Sequence, residues 1–244
     1  VLVLEVEGAV RAMTAWFSTV LSIPGKDQIF RAAYLYAVCV HPDWRGKGLA
    51  SKLLEGAGLY FRDRGIQAVT TVPASQELHG FFAKQGFFEC FTQDERQWTP
   101  ELAKKAPETL PKIKLVNAAE YGVLREGLLS KLGHIGLPMD ALLYQAGCCR
   151  IDGGGMYLVG APAGPAALCA EGTGDKTLLV KELIGSPEAV DQIAAVLPQL
   201  LPKFGGTYRT LGDSVPFGMM KWLSPELDQA WDRDIRAYLG LAFD

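Results

Sequence analysis

The chain has 244 residues, 49% of them hydrophobic and 21% charged, which is enough apolar material for a packed core and excludes disorder. At about 150 residues per domain, that length admits one large domain or two small ones. The net charge of −3 falls entirely after residue 110, and no run of 18 uncharged apolar residues occurs, so a basic nucleic-acid binder and a membrane-spanning helix are both excluded. Five scattered cysteines (Cys39, Cys90, Cys148, Cys149, Cys169) and three histidines show no metal-ligand spacing. The expectation is a cytoplasmic protein with buried, reduced thiols and no metal. No basic-then-apolar leader opens the chain.

In chain order, VLVLEVEG reads as a strand closed by Gly8, and Val10 to Leu21 as the strand that returns. A loop at 23–27 follows, then the aromatic and β-branched run Ala33 to Val40, which stops at His41-Pro42-Asp43. These three strands form an antiparallel meander. The period then changes: Leu49, Leu53, Leu54, Ala57, Tyr60 and Phe61 mark a helix ending near Gly65. Gln67 to Val72 is a short strand, Leu78, Phe81 and Phe82 lie on a second helix, and Phe87 to Phe91 is another strand.

The polar, proline-bearing stretch 99–112 reads as a linker, with a short helix opened by Thr99-Pro100-Glu101. The expected division is a first domain at 1–98 and a second at 113–244. The second begins with a strand at 113–116, a helix from Ala118 to Leu132 capped by Asn117, and a further helix at 138–145. Strand runs follow at 146–151 or 156–160, 166–171 and 177–184, with Gly153-Gly154-Gly155 as a hairpin turn and Cys148-Cys149 straddling a strand. A helix from Pro187 to Phe204, a strand from Thr207 to Leu211 and a helix opened by Ser224-Pro225-Glu226 complete it. Phe217, Met219 and Met220 read as core. Each half thus runs meander, helix, strand, as a duplicated unit would.

Chemistry concentrates in Arg45-Gly46-Lys47-Gly48-Leu49-Ala50, between the third strand and the first helix. Free N–H groups at a helix start, two glycines that admit a ligand to the backbone and two cations suit a pyrophosphate. The segment fits neither the GxxxxGK[ST] nor the GxGxxG pattern. It does fit the (Q/R)xxGx(G/A) signature of the Gcn5-related N-acetyltransferase (GNAT) superfamily. The stretch from Ser75 to Phe87 resembles the family's closing NxxAxxLYxKxGF pattern. On these two motifs the chain resembles a tandem GNAT protein with a degenerate second copy, an α/β (α+β) fold of two mixed, mostly antiparallel twisted sheets flanked by helices.

The resemblance implies an acetyl-CoA site: backbone groups of Val38, Cys39 and Val40 for the pantetheine arm, Arg45 to Ala50 for the pyrophosphate, and Ser75 in place of a frequent Asn. It implies direct acyl transfer to a primary amine on a small molecule or peptide, with neither nucleic acid nor membrane as partner and with homo-oligomers allowed. The family's usual tyrosine acid falls at Phe82, which has no proton to give. By alternation Tyr34, Tyr36, Val38 and Val40 share one face, so Tyr34 or Tyr36 is the candidate catalytic residue, and aromatic packing is the rival reading. Cys39 is expected to be structural. In the second half Glu188 stands where a pyrophosphate would lie, so no cofactor is expected there. A silent acyl-CoA-binding module is the alternative to an enzyme. The first half opens directly on the meander, so a few dozen residues are expected before Val1.

Overall fold

The alternating opening segment builds β1 (Leu2–Val6), β2 (Ala9–Ile23) and β3 (Gln28–Val40). The β1–β2 turn is tight because Glu7 and Gly8 both take positive φ, 55° and 73°. β3 pairs antiparallel with β2, setting Trp16 opposite Leu35. α1 (Leu49–Arg62) buries Leu49, Leu53, Leu54, Ala57 and Phe61, the three- and four-residue spacing of its apolar face. β4 (Ala68–Thr71) returns parallel to β3, and α2 (Gln76–Lys84) leads into β5 (Phe88–Trp98). This is a computed structural model that describes residues 1–23, 28–99, 110–151, 153–174, 177–202 and 205–243. The predicted loop at 24–27 and the helix start at 100–101 lie outside them.

The second half runs β6 (Lys112–Leu115), α3 (Ala118–Leu129), β7 (His134–Gly136), α4 (Met139–Ile151), β8 (Gly155–Ala161), β9 (Gly164–Gly174) and β10 (Thr177–Ile184). α5 (Pro187–Ala194), α6 (Leu197–Leu200), β11 (Gly205–Trp222) and α7 (Pro225–Ala230) follow. Asn117 opens α3 through a capping box: its Oδ1 accepts from the Glu120 N–H at 2.9 Å, and the Glu120 carboxylate accepts from the Asn117 N–H at 3.0 Å.

Several expectations change here. Residues 146–151 are helical, so Cys148 and Cys149 lie on α4, and the triple glycine joins a helix to a strand rather than two strands. At Gly154 a Cβ would sit 2.1 Å from the Ala170 carbonyl oxygen, so the close approach of β9 requires glycine there. The helix drawn from 187 to 204 is two helices, and the one drawn to Leu132 stops at Leu129. β7, three residues long, gave no periodic signal; it pairs with β2.

The largest departure is β11, which continues far beyond Leu211. Among the described residues the strands form one 11-stranded sheet, ordered β1-β2-β3-β4-β11-β10-β9-β8-β6, with β5 on β11 and β7 on β2. The first part of β11 runs parallel to β10, with Tyr208 opposite Val180. Its last part enters the first half's sheet, where Met220 faces Thr70 of β4 and Phe88 of β5. β5 makes the reverse crossing, its end pairing Trp98 with Gly206. The main core spans both halves, joining Leu21, Tyr34 and Phe91 to Ile135, Phe217 and Phe243. Phe217, Met219 and Met220 are buried, as expected of a core run. No helix among the described residues is long and apolar enough to cross a membrane.

Candidate active site

The parallel pairing of β3 with β4 is short. It runs from Ala32 opposite Ala68 to Leu35 opposite Thr71 and then stops. On β4 the cause is Pro73, two residues on, which has no N–H to continue a ladder. On β3 it is Ala37, whose φ of 56° breaks the extended chain. Met13 faces Cys39 and Ala15 faces Tyr36, so Thr14 alone stands opposite Ala37 and Val38, a β-bulge. The buried Thr14 hydroxyl lies 3.2 Å from the Tyr36 carbonyl oxygen and 3.1 Å from that of Ala15, which holds the bulge in place.

The strands therefore part, leaving a cleft of about 410 Å³. Tyr36, Ala37 and Val38 line one wall, and Val72, Pro73 and Phe82 the other. Ala50 stands at one end, Tyr34 and Phe243 at the opposite end, and none of the described residues that line it is charged. The bulge also corrects the expected alternation. Tyr34 and Tyr36 pack in the core shared with the second half, whereas Val38 and Val40 turn to the α1 side with Leu2 and Leu53. The extra residue at the bulge reverses the face.

At the Ala50 end, His41 caps a single 3-10 turn (Pro42–Trp44) and the loop leads into α1. Gly46 and Gly48 take φ of 73° and 74°, and nothing lies within 4 Å of where either Cβ would be. Gly48 is the N-cap of α1 and offers no side-chain hydrogen bond. The first helical bond runs from the Lys52 N–H to the Gly48 carbonyl, so the amides of Leu49, Ala50 and Ser51 precede the ladder. Arg45 Nε donates to the Val40 carbonyl at 3.4 Å, and Lys47 Nζ lies 4.4 Å from the Trp44 ring centre. Arg11, on neighbouring β2, stacks on the same ring at 4.9 Å. An exposed, uncapped helix start beside three cations is an anion cradle. Glycines that leave space for a ligand at the backbone, and a cleft running on from it, fit a nucleotide thioester.

The other predicted residues fall as follows. Cys39 follows the bulge and is exposed, and Cys148 is half-buried, against the expectation of buried thiols; Cys90, Cys149 and Cys169 are buried. That expectation rests on the general burial of free cysteines; Cys39 instead lies just past the bulge. Ser75 caps α2 without a side-chain bond and is exposed, next to but outside the cleft lining. Phe82 packs against Phe81 and Phe87, each at 5.3 Å between ring centres. His79 is engaged with Glu89, Nδ1 to Oε1 2.6 Å. Tyr34 is 3% exposed, and its hydroxyl accepts from the Phe243 N–H at 3.3 Å. Tyr36 is only partly buried, and its hydroxyl lies 3.1 Å from that of Tyr144 on α4.

Sequence reasoning missed Arg11, Tyr144 and Phe243. Arg11 had the signal of a cation on the strand paired with β3. The other two had none, since 108 and 209 residues separate Tyr144 from Tyr36 and Phe243 from Tyr34. In the second half Ser186 Oγ accepts from the Ala189 N–H at 3.2 Å, so the start of α5 is capped by its own chain. Among the described residues no group of three or more His, Cys, Asp or Glu is placed to hold a metal ion.

A family model described as an acetyltransferase (GNAT) domain matches residues 1–89. No protein of curated function matches the sequence. Among solved structures, a GCN5-related N-acetyltransferase from Anabaena variabilis superposes with a TM-score of 0.69 at 14% identity, over 91% of this chain and 62% of that one. A second, from Kribbella flavida, gives 0.61 at 17% identity over 90% and 59%. A tandem GNAT protein from the clavulanic acid biosynthesis pathway gives 0.52 at 17% identity over 91% and 82%. The chain thus spans about three fifths of the first two structures, and at these identities the likeness is one of fold. The glycine loop and splayed strands lie within residues 1–89, the segment that the GNAT acetyltransferase domain model matches, and the chain is similar in fold to the tandem GNAT protein.

Proposed function

We propose that the protein is an acyl-CoA-dependent N-acyltransferase that moves an acetyl group from acetyl-CoA to a primary amine within a ternary complex. The observation that carries this is the uncapped, glycine-led start of α1 opening onto the cleft between β3 and β4. In this reading the amides of Arg45 to Ala50 hold the pyrophosphate, and Arg11, Arg45 and Lys47 supply charge. The pantetheine arm lies along Val38 to Val40, and the thioester reaches the end lined by Tyr34, Tyr36 and Phe243.

The amine must arrive unprotonated, since an ammonium has no lone pair. Among the described residues no carboxylate or imidazole lines the cleft, and in this reading water takes the amine's proton. The lone pair attacks the thioester carbonyl, the C–S bond breaks, and the departing sulfur takes a proton. Tyr36 is the donor this reading favours, because Phe82 carries no proton and Tyr34 is buried in the core whereas Tyr36 is only partly buried. A coenzyme A thiolate is a fair leaving group, which lowers the demand on that acid. The five free thiols suit a reducing, cytoplasmic setting.

A second reading, a silent acyl-CoA-binding module, is favoured by Phe82 and by the lack of charge among the described residues that line the cleft. Calorimetric titration of acetyl-CoA with thiol-release assays over a panel of amines separates the two. Turnover on any amine supports the enzyme; tight binding with no turnover supports the silent module. Gly48→Asp tests both. A Cβ meets nothing there, and Asp enters the left-handed region more readily than most residues, so the variant places negative charge at the cradle without a clash, at the cost of some backbone strain. Acetyl-CoA affinity should fall by roughly a hundredfold or more, as an anion at a helix start then repels the pyrophosphate. Unchanged affinity would remove both readings.

A further inference from the structure

We infer that the second half contributes directly to the transfer site: Tyr144 of α4 is a positioning residue that holds the Tyr36 phenol and returns a proton to it. The inference rests on the acyl-transfer reading and gives the second half a task within it. The two hydroxyl oxygens stand 3.1 Å apart, hydrogen-bond distance, at the end of the cleft where Tyr36 and Phe243 form the lining.

Two further rings fix the pair. Phe243 packs on Tyr36 at 5.7 Å and on Tyr144 at 5.3 Å, and Phe17 packs on Tyr144 at 5.9 Å and on Phe243 at 4.9 Å. The backbone of Tyr36 is fixed in turn, its carbonyl held beside Thr14 at the bulge. α4 is seated by buried Ala141, Leu142 and Cys149. Both phenols therefore sit on rigid elements, as a relay requires.

The two members differ in access. Tyr36 faces the cleft, whereas Tyr144 is 42% exposed and reaches water. When the Tyr144 hydroxyl donates to the Tyr36 oxygen, the Tyr36 proton is left to point into the cleft. Its hydrogen bond to Tyr36, followed by burial, pushes the Tyr144 phenol above the ordinary tyrosine range. Cys148, the next titratable group beside it, is half-buried.

The step balances. As the amide C–N bond forms and the C–S bond breaks, the thiolate takes the Tyr36 proton, Tyr36 takes that of Tyr144, and Tyr144 recovers one from water. The proton released by the amine completes the balance. Amine and acetyl thioester give amide and free thiol, with no oxidant or metal consumed.

The test is a double-mutant cycle on the full chain, measuring thiol release with acetyl-CoA and an accepted amine. Tyr36→Phe and Tyr144→Phe keep the rings and their packing. Each should lower kcat roughly tenfold, below the usual range for a general acid because the thiolate leaves readily. The KM for acetyl-CoA should stay within about twofold, and the double variant should lose no more than either single one, because a relay acts as a unit. The solvent deuterium isotope effect on kcat should shrink in both singles, which a packing defect would not cause. Wild-type kcat in Tyr144→Phe, or losses that multiply in the double variant, would overturn the relay alone. A wild-type protein that binds acetyl-CoA but releases no thiol with any amine would overturn the acyl-transfer reading and the relay with it.

Discussion

At Ala37 an L-residue takes φ of 56°, a conformation that costs about 1–2 kcal/mol relative to the right-handed regions. What the strain achieves is visible at its neighbours. It ends the pairing with β4 and turns Val38 and Val40 toward α1, while Tyr36 stays on the face shared with α4. It also leaves Cys39 exposed, while Cys90 is fully buried. Burial pushes the Cys90 thiol up to about 12, and the opposing pull of Arg236 and Arg233 is smaller. At pH 8 about one Cys90 in ten thousand is then thiolate, the reactive form. Iodoacetamide at that pH should label Cys39 first and leave Cys90 untouched until the protein unfolds. Peptide mass spectrometry reads the order, and early labelling of Cys90 would contradict the buried assignment.

Among the elements, α3 is held by charge as well as by its apolar face. Arg125 is fully buried, its Nε 3.0 and 3.1 Å from the two oxygens of Glu182 on β10. Nη1 donates to the Ile135 carbonyl of β7 at 2.8 Å and Nη2 to the Leu239 carbonyl at 2.9 Å. Tyr121 donates to the same Glu182 at 2.8 Å, and Lys181 Nζ reaches the Ala242 carbonyl at 2.7 Å. Together these bonds tie the C-terminal segment down so that Phe243 arrives at the cleft. Arg125→Ala strands Glu182 as an uncompensated buried charge and should cost about 3–5 kcal/mol of stability. Urea denaturation measures it, and a loss within 1 kcal/mol, the range typical of exposed pairs, would show that the cluster is not structural.

Over the whole molecule, β5 and β11 exchange places between the halves. Each is longer than the mean strand of about 5–6 residues, because each runs from one half's part of the shared sheet into the other's. The division into 1–98 and 113–244 therefore describes the order of elements along the chain, while the hydrogen bonds run across it. Expressed alone, residues 1–99 lack the strand that fills the space between β4 and β5, and their exposed edges should drive aggregation. Mixing that fragment with residues 110–244 should restore a cooperatively folding species of one copy each, read by circular dichroism and sedimentation. A fragment 1–99 that melts cooperatively by itself would show that the exchange is dispensable.

The chemistry-bearing loop and most element positions were legible in the sequence because their causes are local. The 3.6-residue spacing of Leu49, Leu53, Leu54, Ala57 and Phe61, the glycines at 46 and 48 and the cap at Asn117 act within a few residues of themselves. Phe82 at the place of the usual acid could likewise be read directly. What tertiary structure alone decided is partnership: which strand lies beside β4, which face Val38 presents after the bulge, and that Tyr144 and Phe243 reach the cleft. Pairing and burial join residues 108 and 209 positions apart. No periodicity encodes such distances, because the free energy that fixes them arises only when the whole sheet closes around its shared core.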